Sequence, residues 1–449
     1  MKSLERRIVV CGGTRTPVGH ISRSLADIPA VDLMTMSIES TMDRLSLAKD
    51  KVDGVFIGWV GQDFSAPNIA RVALLKAGIP ETSMAVTHHS NCLSSIESVT
   101  QAVRRILTEE GELFIAGGVE SMSRLPYTIV GSRAAKELRS LETLKAKWAD
   151  LWTSKDVQVV DSMDKGLVDP VTGINMAASA EVCAQMYGIS REEQDEFAHR
   201  SFKLCVEAWN KGFFASHVVP VRRDGAVVLE KDEYPFLREE LISKPIKFGK
   251  APVLFDNSAY SIKDFYRDNA RHMGGKTYEE GAKGTVTLFN SCGRSDGASS
   301  MVVATEERAR ALGLPILAEI KGFGFCGNNP AHMGVSPALA APVALSHSAV
   351  SFAELDLIEL HEPFAATVLS IFKLGKERFN HDWDAKRRAG QLNPHGGSIA
   401  IGHPLGATGA RLILDVTYGL QENPEARYGM AAACAGGGIG GAMVLEKYK

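Results

Sequence analysis

Val52-Asp-Gly-Val-Phe-Ile-Gly-Trp59 reads as one buried strand: a short apolar run rich in β-branched and aromatic side chains. Before it, Ala30 to Leu47 has the spacing of an amphipathic helix, and after it Ala70 to Ala77 supplies another. Further upstream, Arg7-Ile-Val-Val10 reads as a second strand. Strands and helices alternating at this interval predict an α/β fold with a mostly parallel sheet, because parallel neighbours need a crossover between them.

The pattern lapses from about Arg133 to Asp169, where charge density rises, periodicity weakens, and Trp148 and Trp152 fall in a helical setting. Ser190-Arg-Glu-Glu193 is then a capping box, opening a helix with Phe197, Leu204 and Ala208 on one face and a stop near Gly212. An inserted, mainly helical domain is expected here. Near Gly284 the α/β pattern resumes and mirrors the first stretch. Each stretch has a small-residue loop entering a helix, Ser90-Asn-Cys-Leu-Ser-Ser95 and Gly402-His-Pro-Leu-Gly-Ala-Thr-Gly409. Each also has a strand ending in glycines, Phe114-Ile-Ala-Gly-Gly118 and Ala431-Ala-Ala-Cys-Ala-Gly-Gly-Gly438. Two related halves follow, with expected boundaries 1–124 for the first half, 125–250 for the insertion, 251–290 for its return segment and 291–449 for the second half.

A chain of 449 residues exceeds one ordinary core. Its 45% hydrophobic and 23% charged content is that of a soluble globular protein, and a net charge of -3 argues against a nucleic-acid partner. Ile8-Val-Val-Cys11 is too short for a signal-peptide core, and no run reaches the roughly 18 to 20 apolar residues of a transmembrane segment. Seven cysteines without CxxC spacing argue against a disulfide framework or a zinc ribbon. A cytoplasmic, reduced setting is expected, in which each cysteine is core filling or chemistry.

Four side chains stand out. Cys92 sits where a polar loop becomes a helix with apolar Ile96, Val99, Ala102, Val103 and Ile106. The positive end of a helix dipole suits a nucleophilic thiol, while a buried small residue is the plainer role. His403 is followed by a proline that fixes the backbone; it is a general base or a turn residue. His361, in Ile358-Glu-Leu-His-Glu-Pro-Phe364, ends an apolar strand, where α/β sheets place their sites. The competing explanation is a helix start with Glu362 as an ordinary first-turn acid. Cys434 precedes Ala-Gly-Gly-Gly. A dinucleotide fingerprint would need a following helix and an acid about 20 residues on, which the sequence does not supply. Backbone brought close to a ligand, offering N–H groups to an oxyanion, explains the glycines better. HExxH, Walker A and Gly-x-Ser-x-Gly patterns are missing, so zinc protease, NTPase and serine hydrolase chemistry lack support. Two cysteines and two histidines in glycine-rich corners point to thiol-based acyl transfer.

These residues resemble the thiolases over nearly the whole chain. The resemblance rests on Arg15-Thr-Pro-Val-Gly19, Gly117-Gly-Val-Glu-Ser-Met-Ser123, Gly284-Thr-Val-Thr287, Cys434-Ala-Gly-Gly-Gly438 and, longest, Asn393-x-x-Gly-Gly-Ser-Ile-Ala-Ile-Gly-His-Pro-Leu-Gly-Ala-Thr-Gly-Ala-Arg411. It implies a duplicated five-layer α-β-α-β-α core with an inserted loop domain. It implies Cys92 as the acyl-carrying nucleophile, His403 as the base that takes its proton, and Cys434 as the acid/base at the acetyl carbon. One oxyanion site would use His403 and a water held by His361, the other the backbone N–H groups of Cys92 and Gly436. Coenzyme A and acyl-CoA would be substrates, with no metal or other cofactor. A homodimer or homotetramer is implied.

His361-Glu-Pro-Phe replaces the common Asn-Glu-Ala-Phe and, with Ser65-Ala-Pro-Asn-Ile-Ala-Arg71 and Leu374-Gly-Lys-Glu-Arg-Phe379, is similar to the β subunits of fatty-acid β-oxidation complexes. A hydratase/dehydrogenase subunit is therefore a candidate partner. Pro363, Cys292, Ser95 and Asn175-Met176-Ala177 depart from the family pattern where the acyl and pantetheine groups should lie; Met176, Cys292, Pro363 and Phe364 are expected to line that space. Three functions remain: degradative 3-ketoacyl-CoA thiolase in lipid degradation, short-chain acetoacetyl-CoA thiolase in the condensing direction, and a non-catalytic acyl-CoA or lipid binder. Retention of Cys92, His403 and Cys434 together argues against the last.

Overall fold

The computed structural model describes residues 6–132, 140–149, 155, 157–243 and 249–449. The expectations placed on Arg133 and Trp152 lie outside them. Among the described residues the main sheet runs through β1 (Ile8–Arg15), β2 (Gly54–Trp59), β3 (Met84–His88), β4 (Leu113–Ser121), β5 (Ser295–Thr305), β6 (Ala318–Gly327), β7 (Leu355–Leu360), β8 (Tyr428–Ala435) and β9 (Ile439–Lys447). Their spatial order is β7-β8-β9-β6-β1-β5-β4-β2-β3, with the two-residue strand Gly19–His20 beside β5.

The two halves repeat one pairing scheme. In the first, β1 meets β5 and β5 meets β4 antiparallel, then β4–β2 and β2–β3 are parallel. In the second, β6–β9 and β9–β8 are antiparallel and β8–β7 is parallel. A parallel bridge from Ile358 to Leu392 takes the place of the fifth strand. Antiparallel pairing of β1 with β6, Val9 opposite Glu319, joins the halves. The sheet is thus mixed rather than mostly parallel: β9 returns from β8 through a tight glycine turn, and a turn that short reverses the chain.

Residues alternate between the two faces of each strand, and both faces are covered. Val55 and Ile57 of β2 pack with Leu33, Ile38 and Leu74 of α1 (Ala30–Leu45) and α2 (Ile69–Lys76), whereas Phe56 packs with Ile96 and Val103 of α3 (Ser94–Leu107). Coverage of both faces is why the strand reads as an unbroken apolar run. Each such side chain, fully buried, contributes about 1.5–3 kcal/mol. In the second half α6 (Ser336–Ser348) and α7 (Ala365–Phe379) cover the outer face through Ala341, Leu345, Val368 and Ile371. Helices α3 and α8 (Thr408–Glu422) touch each other and strands of both halves, forming the central layer of a five-layer α-β-α-β-α core.

The insertion is mainly helical, with α4 (Met176–Tyr187), α5 (Arg191–Lys211), several shorter helices and two small two-stranded sheets. Helix α5 opens with the expected capping box, Ser190 and Glu193 capping reciprocally, and closes on left-handed Gly212. Its buried face holds Phe197 and Ala208 and is completed by Phe202 and Cys205, while Leu204 is only half-buried. The boundary expected at 290/291 moves beyond Thr305, because β5 lies between β1 and β4 and closes the first half's sheet. Its run of small and polar residues, Ser295-Asp-Gly-Ala-Ser-Ser300, conceals a strand buried throughout. Among the described residues no helix is long and apolar enough to cross a membrane.

Candidate active site

Cys92 lies between β3 and α3, directly after Asn91, whose φ of 49° is left-handed. Asparagine tolerates that region better than most residues. Its amide Nδ2 donates to Gly436 O at 2.9 Å, tying the elbow to the glycine turn of the other half. Ser94 steadies the turn by donating to Asn91 O at 2.6 Å and accepting from Ser90 N at 2.9 Å.

His403 Nε2 stands 3.1 Å from Cys92 Sγ. Its tautomer follows from its other side. Thr408 Oγ1 donates to Pro404 O at 2.9 Å, so it accepts from His403 Nδ1, 2.7 Å away. The proton then sits on Nδ1, and Nε2 presents a lone pair to the thiol. Burial, with Arg411 adding to it, pushes the imidazole down to about 3, so it is neutral at ordinary pH. Burial also pushes the Cys92 thiol up to about 12, although the N–H groups of Gly436 and Cys92 itself favour the thiolate. The resting pair is a thiol facing a neutral base.

A second thiol–imidazole pair lies alongside. Cys434, buried near the end of β8, has its Sγ 3.7 Å from His361 Nδ1, and the His361 and His403 rings are 4.2 Å apart, tilted by 49°. Burial raises the Cys434 thiol well above its ordinary range, and the nearby Cys92 adds to the shift. Burial lowers His361 well below its own, with His403 and Arg411 contributing. His361 Nε2 is buried with no hydrogen-bond partner.

All nine residues singled out by the sequence, Cys92, His361, His403, Cys434, Gly436, Met176, Cys292, Pro363 and Phe364, line one cavity of about 730 Å³. Met176 opens α4, whose first turn is capped by Asn175 Oδ1 accepting from Ala178 N at 2.8 Å. Cys292 N donates to Pro363 O at 2.9 Å, so the Pro363 carbonyl, not an N–H, holds the neighbouring strand-like segment. Burial pushes the Cys292 thiol up to about 12. The glycine that space demands in the turn is Gly438, left-handed at φ 75°, where a Cβ would collide with Asn328 O; Gly436 has room for one.

The first-turn explanation for Glu362 does not hold. The carboxylate is fully buried, accepts from Ser201 Oγ and Asn393 Nδ2 at 2.6 Å each, and precedes α7, which begins at Ala365. Asn393 also exchanges two bonds with the Leu360 backbone, at 2.7 and 2.9 Å, acting as a side-chain substitute for a neighbouring strand. Together they fix the segment carrying His361. Thr408, Asn91 and Glu362 are functional-site residues that sequence reasoning missed as such. Only Thr408 left a usable signal, a hydroxyl one helical turn beyond His-Pro.

Against known proteins, the model "Thiolase, N-terminal domain" matches residues 8–247 and "Thiolase, C-terminal domain" matches residues 314–447. A probable acetyl-CoA acyltransferase of Staphylococcus aureus is 34% identical over 99% of this chain and 100% of its own length. The crystal structure of human mitochondrial 3-ketoacyl-CoA thiolase in complex with CoA superposes with a TM-score of 0.82 at 28% identity, covering 100% of this chain and 99% of that one. The Bacillus anthracis acetyl-CoA acetyltransferase gives a TM-score of 0.82 at 29% identity over 99% of both chains. The chain belongs to the thiolase family and is an acyltransferase.

Proposed function

We propose that the enzyme cleaves 3-ketoacyl-CoA with coenzyme A, releasing acetyl-CoA and an acyl-CoA shortened by two carbons. The observation that carries this reading is the 3.1 Å approach of a lone-pair-bearing His403 Nε2 to Cys92 Sγ, with a second thiol in the same cavity. His403 takes the Cys92 proton as the sulfur bonds to the C3 carbonyl carbon, and the oxyanion formed there is stabilised by N–H donors. The C2–C3 bond breaks, leaving an acyl thioester on Cys92 and the enolate of acetyl-CoA, which takes its proton at C2 from Cys434. Incoming coenzyme A gives its thiol proton to the Cys434 thiolate and attacks the thioester. The departing Cys92 sulfur recovers its proton from His403, so both residues end as they began.

The Gly436 and Cys92 N–H groups, already close to the Cys92 sulfur, suit the oxyanion next to the thioester. The bare Nε2 of His361 suits a water that, with His403, would hold the enolate oxygen. Ile21, Leu167, Val168, Leu254 and Leu288 give the cavity apolar walls beyond the sulfurs, which favours an acyl tail longer than acetoacetyl. The edge strand β3 has no neighbour on its outer side among the described residues, and its residues are half-exposed. Pairing with a second copy there would complete a homodimer next to Cys92.

The test is CoA-dependent loss of 3-ketoacyl-CoA across a series of chain lengths. Cleavage of several lengths is expected. Activity confined to acetoacetyl-CoA would replace this reading with the short-chain one, and no cleavage at any length would overturn both.

A further inference from the structure

Gly117-Gly-Val-Glu-Ser-Met-Ser123 takes no part in the chemistry above, yet Glu120 is fully buried within it and faces the loop that carries His403. Its carboxylate accepts three backbone N–H groups: Gly406 at 3.0 Å and Val60 at 3.3 Å on Oε2, and Gly61 at 2.9 Å on Oε1. These donors come from two separate pieces of chain, the turn after β2 and the loop of the second half that runs from Gly402 to Ala407.

The loop also rests directly on backbone. A Cβ on Gly406 would collide with Val119 O, and one on Gly118 would collide with Gly406 O. No side chain fits between the loop and the ends of β2 and β4, so its position there depends on hydrogen bonds rather than on interdigitated side chains. Ser299 Oγ, donating to Ala407 O at 2.7 Å, and Glu120 supply them at this end of the loop, while His403 N donates to Gly293 O at 3.1 Å and to Ser295 Oγ at 3.2 Å at the other. Gly406 stands between His403 and Thr408, the two residues whose mutual bond orients the base. A shift of Gly406 therefore changes the angle at which Nε2 meets the sulfur.

We propose that Glu120 is a positioning residue whose ionised carboxylate clamps Gly406 against the first half and thereby holds His403 Nε2 on the Cys92 sulfur. The inference rests on His403 acting as the base. Protonating Glu120 would place an O–H among three N–H donors and would weaken the grip on Gly406. Burial raises this carboxyl to about 7, with Asp296 adding to the rise and the three N–H groups opposing it. Of the titratable groups around it, Asp296 on β5 acts on Glu120, and Glu120 in turn acts on Cys92 at the head of α3. Because Cys92 is pushed up to about 12 and His403 down to about 3, neither changes charge near neutrality. The clamp is engaged above about pH 7 and released as the pH falls through it.

Wild-type enzyme and Glu120→Gln are compared from about pH 5.5 to 8.5 by two measurements. One is the rate of Cys92 alkylation by iodoacetamide, followed by the mass of the Cys92 peptide, and the other is kcat and KM for 3-ketoacyl-CoA cleavage. In the wild type both rates should fall on the acid side of about pH 7. In Glu120→Gln that break should vanish, with kcat at pH 8 lowered about 10-fold and KM within about 2-fold, as expected for a slightly misplaced base. The same break in both proteins, or no break in the wild type, overturns the clamp. The wild-type profile alone can do so if the variant does not fold. A wild-type alkylation break near pH 7 without ketoacyl-CoA cleavage supports the clamp and sinks the proposed function. Cleavage without the break sinks the clamp alone.

Discussion

The two halves of the core share strand pairing but not chemistry. In the second half all three equivalent positions carry a reactive group: His361 after β7, His403 before α8, and Cys434 as the penultimate residue of β8. In the first half only the segment before α3 does, with Cys92. The end of β2 offers instead the Val60–Gly61 turn, and the penultimate residue of β4 is Glu120. The correspondence extends to the pairing, since Glu120 lies opposite Gly297 and Cys434 opposite Gly440 on their antiparallel neighbours. Duplication supplied two sets of the same three positions. On the proposed mechanism one set moves protons and holds a water, while two members of the other bind each other and, through Gly406, the loop that carries His403. The halves differ too in how their last strands are joined. A glycine turn links β8 to β9 and brings N–H groups to the sulfur, whereas the whole insertion links β4 to β5 and walls the cavity.

The largest expected effect separates the two thiols. Cys92→Ala should lower ketoacyl-CoA cleavage by about 10⁴-fold or more, with no acyl adduct in the intact mass, since it removes the sulfur that the His403 Nε2 lone pair faces at 3.1 Å. Cys434→Ala should lower cleavage by about 10²–10⁴-fold. It should still exchange labelled coenzyme A with acyl-CoA, because that transfer between thioesters needs no proton at carbon. If Cys434→Ala lost exchange as completely as Cys92→Ala, the assignment of separate roles to the two halves would be wrong.

A smaller effect probes the tautomer. Thr408→Val removes the acceptor for His403 Nδ1–H while keeping the side-chain shape. The imidazole can then carry its proton on Nε2 and present a donor to the thiol. A fall in kcat of about 10-fold is expected, with KM little changed. Nitrogen chemical shifts of labelled histidine should show the Nδ1–H form losing population. An unchanged kcat would mean that the loop alone orients the ring.

Much of this was legible in the sequence because α/β segments buried on both faces write themselves as apolar runs between amphipathic helices, as β2 does between α1 and α2. The reactive cysteines and histidines were legible by type and by their glycine-rich surroundings. Strand β5 was not, since Ser295 to Ser300 are small and polar and pack where neighbouring strands leave no room for bulk. Glu362 was misread because a buried acid and a first-turn acid look alike in one dimension; only the folded chain brings Ser201 and Asn393 to it from distant segments. The same holds for Glu120, whose three partners are all backbone and therefore leave no mark on residue type.

The smallest effect concerns Ser95, which stands where the family usually has glycine. Helix α8 begins after Ala407, which has no side chain able to satisfy its first N–H groups. Such groups need partners from elsewhere when buried. Ser95 Oγ supplies one across the central layer, accepting from Ala410 N at 2.9 Å, so the helix behind the nucleophile caps the helix behind the base. Ser95→Ala should lose about 1–2 kcal/mol of stability by leaving that N–H unsatisfied. Ser95→Gly should lose up to about 1 kcal/mol more, because glycine weakens the first turn of α3. Urea midpoints measure both, and kcat should stay within about 2-fold because neither change reaches Cys92 Sγ or His403 Nε2. If Ser95→Ala were as stable as the wild type but slower, the bond would serve to align the two halves of the site rather than to hold the central layer together.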